Sequence, residues 1–198
     1  MITRLDGDAW AGALAEAIVA ATDAMAAADD ADWSRPAGDL DWDCRATVQH
    51  IASDFVAYAT QLTGPRAHGY AAFDLVLDGT PSPSELRALV RATGGLLSSV
   101  VRTADPGTLS WHPYGPAGPR DFAAMGIVEL LVHTEDLSRG VGFAWQPGAG
   151  LSARVLAHLF PYAPRGHEPW PTLLWATGRV ALDERPRLED WRWENTGS

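Results

Sequence analysis

The sequence predicts an all-α protein: a four-helix bundle with an extra helix and a tryptophan-rich C-terminal tail. Apolar side chains recur every three or four residues in several long segments, which is the spacing of one helix face. Clusters of proline and glycine separate these segments at 28–43, 64–80 and 105–120. No convincing run alternates apolar and polar residues as a strand would. We therefore expect one domain over 1–198, with the tail from about 165 packed on the bundle.

The ends of the predicted helices follow from local signals. Ser82 or Ser84 can cap the third helix, and Gly140 can close the fourth. The pair Gly94–Gly95 inside the third helix costs about 1–2 kcal/mol relative to alanine, which indicates a bend or close packing. The predicted helices span 6–29, 45–62, 83–104 and 121–139, with shorter ones at 149–160 and 171–177.

Composition and charge exclude several classes of function. The chain is 46% hydrophobic and 20% charged, as globular proteins are. Its net charge of −10 argues against nucleic acid as a partner, because phosphate binding needs a basic surface. The single cysteine, Cys44, rules out an intramolecular disulfide. No signal peptide or membrane-spanning run is recognisable, so we expect a cytoplasmic protein.

The stretch GIVELLVHTEDLSRG, residues 126–140, carries polar groups on one face of an apolar helix. Glu129, His133 and Asp136 follow one another at spacings of four and three residues, which places them close together on a helical wheel. Such a stripe is typical of side chains that hold a metal inside a bundle. A Glu-x3-His pair is nevertheless common by chance, and it is then usually a pair on the surface.

His50 on the second helix is the candidate for a third ligand. Two histidines and a glutamate leave an open coordination position, as in catalytic zinc sites, although such a set also accepts nickel, iron or manganese. Asp136 could orient His133, and Asp54 could orient His50. On its own wheel, however, His50 lies about 150° from the centre of the apolar stripe. Either it faces solvent, or the stripe faces another neighbour, or the site lies in a cleft at the side of the bundle.

Two motifs carry a resemblance to a known family. DLDWDCRATVQHIASD places a tryptophan eight residues before His50, and ELLVHTEDL follows about 80 residues later. In order and separation these motifs resemble the DinB-like superfamily, and more closely the mycothiol-dependent maleylpyruvate isomerase N-terminal family of actinobacteria. The tail TLLWATGRVAL…RPRLEDWRW is similar to one branch of that family. The resemblance implies a metal-binding four-helix bundle with ligands His50, Glu129 and His133.

The resemblance also implies thiol chemistry, in which the metal binds the thiolate of a low-molecular-weight thiol, usually mycothiol, and presents it to an electrophile. We expect a small electrophilic substrate, with S-transfer or cis–trans isomerisation as the reaction, and a monomer or homodimer. The isomerase itself carries a further C-terminal domain for which this chain is too short, so maleylpyruvate is not the expected substrate. The alternatives are a bundle that binds a metal or small molecule without turnover, a metal-dependent hydrolase, and a purely structural bundle.

Other residues have weaker claims on the site. Arg179 is the best candidate to bind an anionic substrate or thiol, since arginine pairs with carboxylates through a fork of N–H groups, but it could instead form an ion pair that holds the tail. His112, on a loop, could border the site and contact the cofactor. Cys44 is expected to be buried and unreactive. The tail tryptophans are expected to anchor the tail rather than to stack on a ligand; they are Trp170, Trp175, Trp191 and Trp193.

Overall fold

The computed structural model describes residues 4–197, and the regular secondary structure in that range is helical. The described residues form six α-helices and one short 3-10 turn, and they contain isolated bridges but no strand. The all-α prediction is confirmed. The helices are α1 (Arg4–Met25, followed by the 3-10 turn Ala26–Ala28), α2 (Cys44–Thr63), α3 (Pro83–Thr103), α4 (Pro119–Val141), α5 (Ala149–Leu159) and α6 (Pro169–Ala176).

The first four helices form the bundle. α1 and α2 each pack against both α3 and α4, while α5 packs on α4 and α6 packs on α5. α4 is the central element, because eighteen of its residues are buried. A helix that is apolar on nearly all sides has to be enclosed by its neighbours. This enclosure explains why the 126–140 stretch is so rich in Ile, Val and Leu.

Two glycines allow the helices to approach closely. A Cβ on Gly94 of α3 would lie 2.6 Å from Cδ1 of Ile18 in α1, and one on Gly126 of α4 would lie 2.9 Å from Cδ2 of Leu97. Contacts this short are not tolerated without movement of the neighbouring side chain. Of the two explanations that the sequence left open for the glycine pair in α3, close packing is therefore the one that holds at Gly94.

The C-terminal end of α4 differs from its prediction. The helix does not close at Gly140 but continues to Val141, and Gly142, with φ of 83°, is the left-handed cap. Gly140 has another role: a Cβ there would lie 2.5 Å from the Pro36 carbonyl oxygen and 2.6 Å from Sγ of Cys44. The glycine thus lets the 29–43 loop and the start of α2 lie directly on α4.

The 29–43 loop is tightly held. Trp33 is fully buried, and its indole N–H donates to the Ala28 carbonyl at 2.9 Å. The Ala37 N–H donates to the Trp42 carbonyl at 2.9 Å. Asp43 then caps α2 by accepting from the Ala46 N–H at 2.7 Å. These bonds fix the position of Trp42 relative to the first turns of α2.

The tail is fastened to the bundle by buried tryptophans and by a buried carboxylate. Trp170, Trp175 and Trp193 are less than a tenth exposed, as expected for anchors. Asp121, at the start of α4, accepts hydrogen bonds from the His158 ring at 2.9 Å and from the Thr196 hydroxyl at 2.8 Å. The tail therefore returns to the N-terminal end of α4.

α1 is long and apolar enough to cross a membrane by length and composition alone, over Asp6–Ala28. Half of the 18-residue apolar window within it is buried inside the protein. Because its apolar residues face α3 and α4, we interpret α1 as a core helix of the bundle.

Replacing Gly140 by alanine is predicted to destabilise the protein by about 1–3 kcal/mol, because the new methyl group meets a backbone carbonyl and a sulfur that cannot both retreat. The matched control is Gly95→Ala in α3, where a Cβ would meet nothing within 4 Å. Gly95→Ala is predicted to stabilise the protein by about 0.5–1 kcal/mol through helix propensity. Urea unfolding measures both, and a Gly140→Ala protein as stable as wild type would contradict the packing described.

Candidate metal centre

Three of the predicted site residues meet where α2 and α4 face each other. His50 comes from α2, and Glu129 and His133 lie one turn apart on α4. Oε2 of Glu129 lies 3.2 Å from Nε2 of His133 and 3.4 Å from Nε2 of His50. One ligand atom from each of the three residues can be chosen so that all lie within 4.8 Å of one another. The arrangement could hold a metal ion.

These spacings fit a small divalent cation. Tetrahedral zinc with bonds of about 2.0–2.1 Å places its ligand atoms about 3.3 Å apart, close to the two separations at Glu129. The two imidazole rings are almost perpendicular, with an interplanar angle of 88° and centroids 4.9 Å apart. Both Nε2 atoms thus turn toward the same carboxylate from different directions.

The site lies in a cleft at the side of the bundle, which is one of the positions that the sequence left open for His50. The His50 side chain is 30% exposed, whereas that of His133 is only 8% exposed. This intermediate exposure is consistent with the angle of His50 to the apolar stripe of α2. The second wall of the cleft is built by the 29–43 loop and the tail rather than by another bundle helix.

His133 is held from behind by Asp136. Nδ1 of His133 donates to Oδ2 of Asp136 at 3.0 Å, so that Nε2 is left facing Glu129. A histidine that donates one ring N–H to a carboxylate has a fixed ring orientation and is a stronger ligand through its other nitrogen. Asp136 is only 2% exposed, and the same Oδ2 accepts from Nη2 of Arg179 at 2.9 Å.

The buried charges of this row stabilise one another. Burial disfavours the charged form of Glu129, but hydrogen bonds from His133 and His50 outweigh it and hold the Glu129 pKa well below its ordinary value. Burial likewise opposes a charge on His133, yet Asp136 and Glu129 raise its pKa. Against burial, His133 and Arg179 lower the pKa of Asp136. Both carboxylates are therefore ionised and available as ligand and as hydrogen-bond acceptor.

Asp54 occupies a different position from the one predicted. Its Oδ2 lies 3.3 Å from Nε2 of His50, the nitrogen that faces Glu129, and not behind the ring as Asp136 lies behind His133. Burial and the nearby Glu129 carboxylate raise the pKa of Asp54 to about 8. Asp54 therefore lies beside Nε2 of His50, the proposed ligand atom, and does not orient the ring through Nδ1.

The three residues open into a cavity of about 360 Å³. Its size suits a small molecule, and its walls are largely apolar, as is usual for ligand sites. Three parts of the chain contribute: the 29–43 loop, the two ligand-bearing helices, and the tail. The lining residues are Leu40, Asp41, Trp42, His50, Val128, Glu129, Val132, His133, Thr177, Arg179 and Trp191.

Two tryptophans flank the cavity, and sequence reasoning gave neither of them a place in it. The Trp42 ring lies 4.8 Å from the His50 ring and 6.3 Å from the His133 ring, centroid to centroid. Trp191 was expected to be only an anchor, but it is partly exposed, and the Arg179 guanidinium carbon lies 5.8 Å from the centroid of its ring. The position of Trp42 eight residues before His50 was a usable signal, whereas nothing local to Trp191 indicates a cavity wall.

Arg179 lines this cavity, whereas His112 does not. Nη1 of Arg179 donates to the Thr177 carbonyl at 2.8 Å, in addition to the contacts with Asp136. His112 is 4% exposed, and its Nδ1 accepts from the Tyr114 N–H at 3.1 Å. Burial lowers the His112 pKa to about 4, so its ring is neutral. The structure thus places His112 in the packing between the 105–118 loop and Trp193.

Fold and site together define a class: helical bundles in which two histidines and a carboxylate form a potential metal site at the wall of a cavity. The family model described as the mycothiol maleylpyruvate isomerase N-terminal domain matches residues 14–138. The match covers more than half of the chain, and the protein belongs to this family, as the sequence motifs predicted. No curated protein and no solved structure matches the chain. The matched region includes His50, Glu129, His133 and Asp136, and ends before Arg179 and Trp191.

Cys44 is predicted to resist alkylation in the folded protein. It is fully buried, and burial, together with the neighbouring Asp43 carboxylate, raises its pKa to about 11. At pH 8 only about one thiol in a thousand is then ionised, and that one is shielded from reagent. We expect that iodoacetamide at pH 8 does not modify the folded protein, as measured by intact mass. The time of reaction is the time in which the guanidinium-unfolded protein reacts completely. Rapid modification without unfolding would contradict the packing of α2 on Gly140.

Proposed function

We propose that this protein is a metal-dependent enzyme that uses a low-molecular-weight thiol of the mycothiol kind. His50, Glu129 and His133 would hold a divalent cation, with zinc as our first choice. The thiol would be transferred to a small electrophile, or added reversibly to its double bond to allow cis–trans isomerisation. The observation that carries the proposal is the convergence of three ligand atoms, which all lie within 4.8 Å of one another, on a cavity in a member of this family.

Charge supports a thiolate as the partner of this site. Two neutral imidazoles and one carboxylate leave a divalent cation with a single positive charge, and such a centre favours an anion in the open coordination position. A bound cation would thereby keep a thiol deprotonated at neutral pH. Glu129 supplies the only negative charge among the three ligands, and Asp136 fixes the free nitrogen of His133 toward it.

The thiol has to come from outside the chain. Cys44 is the only cysteine, and its Sγ lies against the Pro36 carbonyl, at 3.9 Å, behind Gly140. It is neither in the cavity lining nor easily ionised. The cavity of about 360 Å³ has room for the reactive end of a small thiol and for a small electrophile.

The cavity residues have separable tasks in this proposal. Leu40, Val128 and Val132 would exclude water from the reacting groups, and the Trp42 ring would cover the exposed side of His50. Arg179 has five N–H groups, and three of them donate within the described chain, through Nε, Nη1 and Nη2. The remaining two N–H groups could donate hydrogen bonds to an anionic group of the thiol or of the electrophile.

The same proposal covers the domain organisation, the location and the partners of the protein. We propose that the chain is a single domain, acts in the cytoplasm as a monomer or homodimer, and has small molecules rather than nucleic acid or membranes as partners. The net charge of −10 is the supporting observation against nucleic acid. The burial of half of the 18-residue apolar window of α1 is the supporting observation against a membrane.

The first expected result is one divalent metal per chain, measured by elemental analysis after refilling with zinc. The His50→Ala, His133→Ala double variant is expected to lose it, because a single carboxylate binds a divalent cation weakly. The matched control removes two histidines elsewhere, His68→Ala and His167→Ala, and is expected to keep the metal. Wild type that takes up no zinc, nickel or manganese would refute the proposed enzyme.

The second expected result concerns the thiol. With cobalt in place of zinc, addition of mycothiol or a close analogue is expected to produce a thiolate-to-cobalt charge-transfer band that a matched alcohol does not produce. The band should be absent from the His50→Ala, His133→Ala double variant. Metal loading without this band would refute thiol activation, and turnover of esters or amides without thiol would identify a hydrolase instead.

A further inference from the structure

Arg179, in the tail, touches the candidate metal centre through a single carboxylate. Oδ2 of Asp136 accepts from Nδ1 of His133 at 3.0 Å and from Nη2 of Arg179 at 2.9 Å. Asp136 and Arg179 are 43 positions apart in sequence, and the Arg179 side chain is only 12% exposed. One oxygen atom thus joins a proposed metal ligand to a segment outside the region matched by the family model.

The Asp136 carboxylate depends on this arginine. A carboxylate that is 2% exposed requires partners for its charge, and removing one partner of a buried pair leaves an uncompensated charge. Without Arg179, Asp136 would lose the hydrogen bond that holds it beside His133 and would turn toward solvent, so it would stop fixing the His133 ring. Arg179 therefore acts on the ligand through Asp136.

Arg179 is itself held by contacts within the tail. The turn that carries it contains Gly178, with φ of 69°, and a Cβ there would lie 2.7 Å from Cδ1 of Trp191. The Trp191 ring therefore packs directly on this turn, and the Arg179 guanidinium lies 5.8 Å from its centroid, within the range of a cation–π contact. Trp191 limits the positions that Arg179 can take.

We propose that Arg179 and Trp191 are positioning residues of the metal centre, which form with Asp136 a latch between the tail and His133. The inference rests on the proposed metal site, and it adds that metal binding and docking of the tail are coupled. Such coupling is reciprocal: a docked tail strengthens metal binding, and bound metal strengthens docking of the tail by the same factor. The latch would also make the tail wall of the cavity most stable in the metal-loaded protein.

The test compares zinc affinity, by competition with a chromophoric chelator, in wild type and in variants of the full chain. Arg179→Gln and Asp136→Asn are each expected to weaken zinc binding by about 10–100-fold, the usual effect of removing a partner that orients a metal-binding histidine. The double variant is expected to bind zinc no less tightly than the single variant of lower affinity, because both substitutions break the same chain of contacts. Arg179→Lys, which keeps the charge but loses the fork, should recover part of the affinity.

Asn195→Ala is the control for general loosening of the tail. Asn195 ties the tail to the 105–118 loop by donating to the Gly115 carbonyl at 2.7 Å, and its hydrogen bonds do not go to Asp136 or to the turn at Gly178. This variant should keep zinc affinity within about twofold of wild type while losing some thermal stability. An equal loss of affinity in Asn195→Ala and Arg179→Gln would overturn the latch, because general loosening of the tail would then explain both.

Hydrogen exchange of the backbone at 177–195 supplies a readout of the reverse direction. Zinc is expected to slow exchange there in wild type, and to do so much less in Arg179→Gln and in Trp191→Leu. If Arg179→Gln binds zinc as tightly as wild type does, the latch is overturned while the proposed metal site stays intact. Wild type that binds no metal would remove both, and elemental analysis distinguishes that case from the first.

Discussion

The candidate site depends on the Glu129 carboxylate, which lies between imidazole rings from two different helices. Placing a carboxylate among the apolar side chains of α4 costs several kcal/mol unless the charge is compensated. His133, one turn along the same helix, and His50, across the interface with α2, provide that compensation. Only the packing of α2 on α4 makes this possible, so the glycines that allow close packing contribute indirectly to the chemistry of the site.

The row Glu129, His133, Asp136 and Arg179 alternates in charge and is mostly buried. A protein selected only for stability would gain little from such a row, because well-packed apolar residues of similar volume are often as stabilising as buried ion pairs. Its presence on the central helix of the bundle favours a functional reason, and clusters of shifted pKa values in a cavity wall are typical of functional sites. The row runs from the cavity wall into the contact between α4 and the tail. Asp136 and Arg179 therefore lie where they can fix the orientation of His133, a candidate metal ligand.

Much of the fold could be predicted from local sequence, because helix periodicity and capping residues act within one segment. Most helix ends were predicted within one to three residues, and Ser82, one of the two caps that the sequence offers for α3, forms a capping box with Glu85. Gly140 was misjudged, because its role depends on Pro36 and Cys44, about a hundred positions away. A glycine near a helix end looks like a cap from the sequence alone, while the demand for close approach comes from tertiary packing.

The ligand set could be proposed from spacing and from the family motifs, but the walls of the cavity could not. On its helical wheel His50 lies far from the apolar stripe, but a wheel describes one helix and says nothing about a loop or tail that covers its side. Trp191 carries no periodic signal that connects it to a site 58 positions away at His133. Arg179 had two competing interpretations, an ion pair that holds the tail and a cavity residue, and the structure gives it both contacts.

The candidate ligands and most of the cavity wall lie on different parts of the chain, so such a protein can change its substrate without changing its ligands. The bundle helices carry the three candidate ligands, whereas the 29–43 loop and the tail carry most of the side chains that a bound molecule would meet. Substitutions at Leu40, Trp42 or Trp191 can therefore reshape the cavity while Glu129 and the two histidines stay in place. The exception is Oδ2 of Asp136, which accepts from both His133 and Arg179. At that atom a change in the tail reaches a candidate ligand, so Arg179 is the wall residue with the least freedom to vary.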